Sequence, residues 1–210
     1  MRLILASTSP RRHELLTLLG VPFEVVAPTF IEQVQPHLSA DAQAVEFAAG
    51  KARSCVSSCP DALILGSDTL INLGSEVLGK PVDLAGAEVM LRRLAGQTHR
   101  IVTAVALAGP EPERCDVRLA EVLVTMKPLN EATLANYLRT GDSLGKAGAY
   151  SIQGGGAAFI ERIEGDFTAA VGLPLRLVVE MLQQCGLSCP VDIEQLYAGR
   201  PYPNWDRFRV

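Results

Sequence analysis

A mixed-sheet α/β fold with flanking helices is predicted by three features of the sequence. Short apolar, β-branched runs alternate with segments of helical apolar periodicity. Leu3-Ile4-Leu5-Ala6 and Ala62-Leu63-Ile64-Leu65 are unbroken apolar runs, as expected of strands covered on both faces. His99 to Leu107 and Arg114 to Met126 are long strand-like segments, joined by Gly109-Pro110-Glu111-Pro112-Glu113 into an antiparallel hairpin. With 210 residues the chain can bury a sizeable core. One domain is expected over 1–187, and 188–210 form an appended C-terminal tail that packs on the surface or on a partner chain.

In chain order, the first strand is followed by Ser7, Thr8 and Ser9, small hydroxyl residues of the kind that cap helices. Pro10 suits a first helical position. His13 to Leu19 carries a helical apolar face, and Gly20 stops it. Phe23 to Ala27 reads as a strand, with Glu32 in the loop beyond. Ser39 and Asp41 cap a second helix that runs to about Ser58 and contains Glu46 and Lys51; Pro60 ends it. The next strand is apolar until Asp68 and ends at Thr69. Leu70–Leu73 and Glu76–Leu78 form a hairpin around Gly74-Ser75, closed by Gly79-Lys80-Pro81. Asp83 caps a helix to about Ala95, and Asn130 caps another that ends at Gly141. Glycines dominate 145–156, Ala157 to Ile163 reads as a strand, and Gly172-Leu173-Pro174 leads into a last helix ending near Cys185-Gly186. Glu161-Arg162 and Glu164-Gly165-Asp166 read as a solvated turn.

Composition excludes several classes. A formal net charge of −4 argues against a general binder of polymeric nucleic acid, so any anionic ligand needs a local basic cluster. No apolar run reaches the roughly 20 residues of a membrane span, and the short apolar stretch after Arg2 is no signal peptide. Five cysteines, an odd number with no sign of export, predict reduced thiols in the cytoplasm. Cys55 with Cys59, and Cys185 with Cys189, have zinc-like spacing but poor context. The histidines show no ligand pattern, and His99 reads as a hydrogen-bonded structural residue. A phosphate-binding Walker loop, a dinucleotide fingerprint and a nucleophile elbow are all absent from the sequence.

The chemical candidates begin with Arg11 and Arg12. Two cations in a first helical turn oppose the partial positive charge already there. A bound anion would reverse the sign, gathering backbone N–H groups, the hydroxyl of Ser7 and two guanidiniums on one phosphate; otherwise both arginines reach into water. Asp68 closes an apolar strand, where α/β sheets place ligand chemistry. It is a general base or metal ligand, or else it caps a turn; Gly66 would allow a ligand close, and Ser67 and Thr69 supply hydroxyls. Lys80, between Gly79 and Pro81, is presented for a phosphate contact. Lys51 and Glu32 taken alone read as solvated. Gln153, in the glycine-rich segment, offers one amide that can donate and accept at the edge of a base.

Together, Ala6-Ser7-Thr8-Ser9-Pro10-Arg11-Arg12, Gly66-Ser67-Asp68-Thr69, Gly79-Lys80-Pro81, Lys146-Ala147-Gly148-Ala149-Tyr150-Ser151-Ile152-Gln153-Gly154 and Val171-Gly172-Leu173-Pro174-Leu175 resemble the Maf family of nucleoside triphosphate pyrophosphatases over roughly residues 2 to 187. The resemblance implies an inosine-triphosphatase-like fold with a central cleft between two lobes, often as a homodimer. It also implies cleavage of a nucleoside triphosphate to monophosphate and pyrophosphate with a divalent cation, Mg²⁺ or Mn²⁺. By motif position Asp68 takes the proton-acceptor role, and Glu32, Lys51 and Lys80 are the other charged active-site positions. Glu32 and Asp68 are the implied metal ligands. Arg11, Thr69 and Gln153 match the three specificity positions of the branch acting on dTTP and UTP, rather than those of the branch acting on 7-methyl-GTP. Ser151, where glycine is more usual, and the tail after Leu187 depart from the family pattern. The rival expectation is a nucleotide-binding regulator of septation that does not hydrolyse.

Overall fold

The sheet is built outward from two parallel strands rich in leucine and isoleucine. In the computed structural model, which describes residues 1–35, 37–109 and 115–208, β1 (Arg2–Ala6) runs parallel to both β2 (Glu24–Val26) and β3 (Ala62–Leu73). β5 (Thr98–Ala108) pairs antiparallel with β3 and with β6 (Cys115–Met126), and β7 (Ile160–Gly165) closes the far edge. β4 (Glu76–Leu78) folds back on the end of β3. The strand order is β2-β1-β3-β5-β6-β7, and the sheet is mixed, as the sequence predicts. Pro110 to Glu113 of the predicted connecting loop, and Arg114, lie outside the described residues.

One face of the sheet is covered by α2 (Ala40–Ser54). Ala44, Ala48, Ala49 and Ala52 meet Ile4, Ala6, Ile64, Ala104 and Ala106, so small side chains on both sides bring the helix axis close to the strands. Gly66 belongs to this contact. A Cβ there would lie 2.8 Å from Ala52 N and closer still to Ala48 O. The glycine thus admits the helix, not a ligand as expected from sequence. The opposite face carries the larger core, with α1 (Pro10–Thr17), α3 (Leu84–Leu94), α4 (Glu131–Thr140), α5 (Phe167–Val171) and α6 (Leu175–Gln184).

Several boundaries differ from expectation. α1 ends at Thr17 and α2 at Ser54, each followed by turns. β7 starts three residues later than predicted, at Ile160. Glu161, Arg162 and Glu164 are exposed on this edge strand rather than in a turn, because an edge strand solvated on one side has polar residues too. Asp166 caps α5, a five-residue helix the sequence reading missed. Beyond Leu187 the chain forms α7 (Ile193–Gly199) and a 3₁₀ turn (Trp205–Arg207), and Trp205, Tyr202 and Phe208 are buried in this chain's own core.

Candidate active site

The register of β3 creates an opening. β1 pairs with β3 only as far as Ala6 opposite Gly66, and β4 pairs only from Ile71 onward. Between them Ser67, Asp68, Thr69 and Leu70 are paired on the β5 side alone. Asp68 was expected at the end of a strand; it lies instead within a strand of 12 residues, because β5 continues the pairing to Asn72. What ends near Asp68 is the parallel partner, and that leaves the strand edge accessible. Ser7–Arg12 flanks the opening on the β1 side, and Gly79-Lys80 follows β4 on the other.

Side chains alternate across the sheet. Asp68 faces α2, where Lys51 Nζ donates to its Oδ1 at 2.6 Å. The same ammonium is 2.6 Å from Glu32 Oε1. Lys51 is only 8% exposed. Its burial follows from helical spacing: Ala44, Phe47, Ala48, Lys51 and Ala52 recur at intervals of three and four and form one stripe. That stripe is the sequence signal that the solvated reading of Lys51 overlooked. Burial alone would push the Glu32 carboxyl up, but its hydrogen bond to Lys51 and the charges of Lys51, Lys80 and Arg12 outweigh this and hold it below the usual carboxylate range. Asp68 Oδ2 is buried with no hydrogen-bond partner among the described residues.

Ser67 and Thr69 face the other way. Arg12 donates from Nε to the carbonyl of Gly172 at 3.0 Å and from a terminal nitrogen to Thr69 Oγ1 at 3.2 Å. Ser67 donates to the same Gly172 carbonyl. Thr69 also shares a 3.0 Å hydrogen bond with Thr103, which donates to the Ala169 carbonyl. Thr103 was missed as support for the site, and Gly172 was singled out only as part of the Val171–Leu175 motif. Gly172 has a positive φ of 128°, and its carbonyl accepts from both Arg12 and Ser67. Desolvation pushes Arg12 below its usual range, opposed by Asp68 and Glu32. At the start of α1 the Ser9 side chain makes no cap bond, Ser7 Oγ accepts from Ser9 N, and no acidic residue stands in the first turn. The orphan N–H groups and the cations Arg11 and Arg12 therefore share one end of the helix.

The glycine-rich segment docks beside Lys80, with Gly148 N donating to the Gly79 carbonyl at 3.2 Å. Ala149 adopts a positive φ of 60° while fully buried, a backbone geometry held by its surroundings. Behind it His99 Nε2 and Tyr150 Oη are 2.6 Å apart in the core, where burial pushes the imidazole down to about 4. Gln153 is half-buried, and its side chain makes no hydrogen bond among the described residues. The structure thus brings Glu32, Lys51 and Asp68 into direct contact on one face. Arg12 and Thr69 meet on the other, with Lys80 within electrostatic reach of Glu32. An apolar cavity of about 590 Å³ lined by Phe30, Ala49, Gly50 and Val117 contains none of these residues. All five cysteines are free, and no cluster of three metal-ligating side chains occurs among the described residues. No helix among them is long and apolar enough to cross a membrane.

Comparison with known proteins bears on the family of the chain. The family model described as Maf-like protein matches residues 2–185. The chain is 45% identical over 186 residues to a protein of Symbiobacterium thermophilum named dTTP/UTP pyrophosphatase, covering 88% of this chain and 94% of that one. Identically named proteins of Deinococcus radiodurans and Escherichia coli O157:H7 are 44% and 46% identical over 89% and 86% of this chain, and 94% and 91% of theirs. A solved structure of the Staphylococcus aureus Ham1 protein overlaps 60% of this chain and 72% of that one at 13% identity and a TM-score of 0.39, a likeness too distant to carry an argument. Family model and relatives span the β3 opening and every charged residue around it, and the chain belongs to the Maf-like protein family.

Proposed function

We propose that the protein hydrolyses dTTP and UTP to the monophosphate and pyrophosphate. The observation that carries this reading is the Glu32–Lys51–Asp68 contact at an open strand edge, with Asp68 Oδ2 buried and unpartnered. The names of the relatives support the same chemistry. Arg11, Arg12, Lys51 and Lys80 set four cations against two carboxylates, a local excess of positive charge in a chain of net charge −4. That excess suits a triphosphate.

The donor set fits a divalent cation: two carboxylates, one with an uncommitted buried oxygen, are the usual protein share of a Mg²⁺ or Mn²⁺ site completed by phosphate oxygens. Glu32 and Asp68 would hold it, and when bound it supplies charge neutralisation and a more acidic water. Asp68 takes the proton of the water that attacks the α-phosphorus. A bond forms from the water oxygen to phosphorus, the bond to the β-phosphate oxygen breaks, and pyrophosphate departs. Lys51 orients Asp68 through their 2.6 Å hydrogen bond, while Lys80 and Arg12 oppose the charge of the leaving group. Arg11, Thr69 and Gln153 choose the nucleotide, Thr69 by fixing Arg12 and Gln153 by its free amide at the pyrimidine edge. Thymine and uracil differ by one methyl, worth about 1–3 kcal/mol in a fitted pocket, so the two are modestly distinguished. A cytoplasmic location belongs to the same reading, in keeping with the free cysteines, as does a homodimer, which light scattering checks.

Pyrophosphate release from a panel of triphosphates with Mg²⁺ or Mn²⁺ tests the proposal. UTP and dTTP are expected to lead, and Asp68→Asn to lose about 10²–10⁴-fold in kcat, the usual share of a general base, while still binding nucleotide. Binding without release by the native protein would favour a non-hydrolysing regulator. A preference for 7-methyl-GTP would move the protein to the sister branch.

A further inference from the structure

Gln153 is followed by Gly154, Gly155 and Gly156, the longest glycine run in the chain. Glycines have the most backbone freedom to lose, so a side chain that must meet a base edge at this point needs an external restraint. That restraint comes from the C-terminal segment. The side-chain nitrogen of Asn204 donates to the carbonyl of Ile152 at 3.1 Å and to that of Gly154 at 3.3 Å. One amide thus holds the Ile152–Gln153 peptide plane and, one plane beyond Gln153, the Gly154–Gly155 plane.

Asn204 is itself held firmly. It has a left-handed φ of 64° and opens the 3₁₀ turn of Trp205. The Trp205 ring stacks on Phe167 with centroids 5.5 Å apart and meets Tyr197 edge-on at 4.9 Å. Tyr197 donates to Asp166, the cap of α5. Two residues before Asn204, Tyr202 donates to Glu14 at 2.6 Å, one helical turn from Arg11. One short stretch of chain therefore touches the backbone that carries Gln153 and the helix that carries Arg11. It lies beyond residue 185, where the family match ends.

We infer that the C-terminal segment is a positioning device for nucleotide choice, with Asn204 orienting Gln153 through the carbonyls of Ile152 and Gly154. This rests on the reading that Gln153 contacts the base. Asn204→Asp keeps shape and left-handed tolerance but removes the amide donor; Asn204→Gly keeps the backbone and removes the side chain. Kinetics with UTP and GTP are compared for both variants, for Gln153→Ala and for the double variant Gln153→Ala/Asn204→Asp. Each Asn204 variant is expected to raise KM for UTP about tenfold, with kcat within about twofold. The UTP:GTP ratio of kcat/KM should fall by a similar factor, and Asn204→Asp should add nothing once Gln153 is alanine. Trp205, the only tryptophan, reports by fluorescence whether the segment still packs. The inference is overturned if Gln153→Ala lowers the ratio and neither Asn204 variant does. It also falls if selectivity changes only when Trp205 becomes exposed, which would mark a merely structural role. If Gln153→Ala itself leaves the ratio unchanged, the base-reading role is what failed, and the inference falls with it.

Discussion

Replacing Lys51 with methionine would expose the charge arrangement on which the site depends. The substitution keeps a long apolar stem on the buried stripe of α2 and deletes the ammonium. In the native protein that ammonium is 2.6 Å from one oxygen of Glu32 and 2.6 Å from one oxygen of Asp68. The two oxygens are then at most about 5 Å apart, where like charges repel by about 3 kcal/mol at an effective dielectric of about 20. The Glu32 side chain is 49% exposed, so screening by water cuts the repulsion to about half that value. Adding the lost attraction and the remaining desolvation, Lys51→Met should destabilise the fold by about 2–3 kcal/mol near neutral pH, below the full range for a buried pair. The effect has a sign in pH. In the native protein Glu32 is held low, so its stabilising contribution is present above its unfolded value and is lost as pH falls through the folded one. In the variant, burial, the largest influence on Glu32, pushes it up and is opposed only by the charges of Lys80 and Arg12. That penalty is full at neutral pH and is relieved by protonation as the pH drops toward about 4. Urea unfolding of both proteins at about pH 7.5 and about pH 4.5 reads the difference directly. A deficit equal at the two pH values would refute the reasoning, since it would mean that Lys51 acts through packing and not through charge. Pyrophosphate release should fall sharply in the same variant.

Two further outcomes follow from packing and burial. Gly66→Ala would drive a Cβ into the backbone of α2 at Ala48 and Ala52, and should cost at least about 3 kcal/mol in denaturant unfolding with a parallel loss of turnover. Because burial holds His99 at about 4, against 6.5 when unfolded, the unfolded state binds the extra proton between those values. Unfolding free energy should therefore fall by up to about 3 kcal/mol between about pH 7 and about pH 4, and His99→Gln should flatten that slope.

Much of the molecule can be read from residue order. The unbroken apolar runs at Leu3–Ala6 and Ala62–Leu65 predict strands covered on both faces, because only such strands tolerate these runs; that the two pair in parallel is seen in the structure. The caps at Ser39, Asp83 and Asn130 predict helix starts to within a residue, since capping is a local bond to the next turn. Arg11 and Arg12 stand out because their charge opposes the helix they open. Other features depend on residues distant in the chain. Asp68 reads as a strand end from its polarity, yet it lies mid-strand because β5 pairs past it, and pairing register is a long-range property. Gly66 reads as room for a ligand, and packing gives that room to α2. Lys51 reads as a solvated lysine until the alanine face of α2 is seated on the sheet, which places its ammonium between Glu32 and Asp68. Local chemistry thus determined which elements form and which residues carry charge. The gap between β1 and β4, the opposite facing of Asp68 and Thr69, and the return of Asn204 to the Gln153 loop were decided by tertiary structure alone, since each needs segments far apart in sequence to be packed before the contact exists.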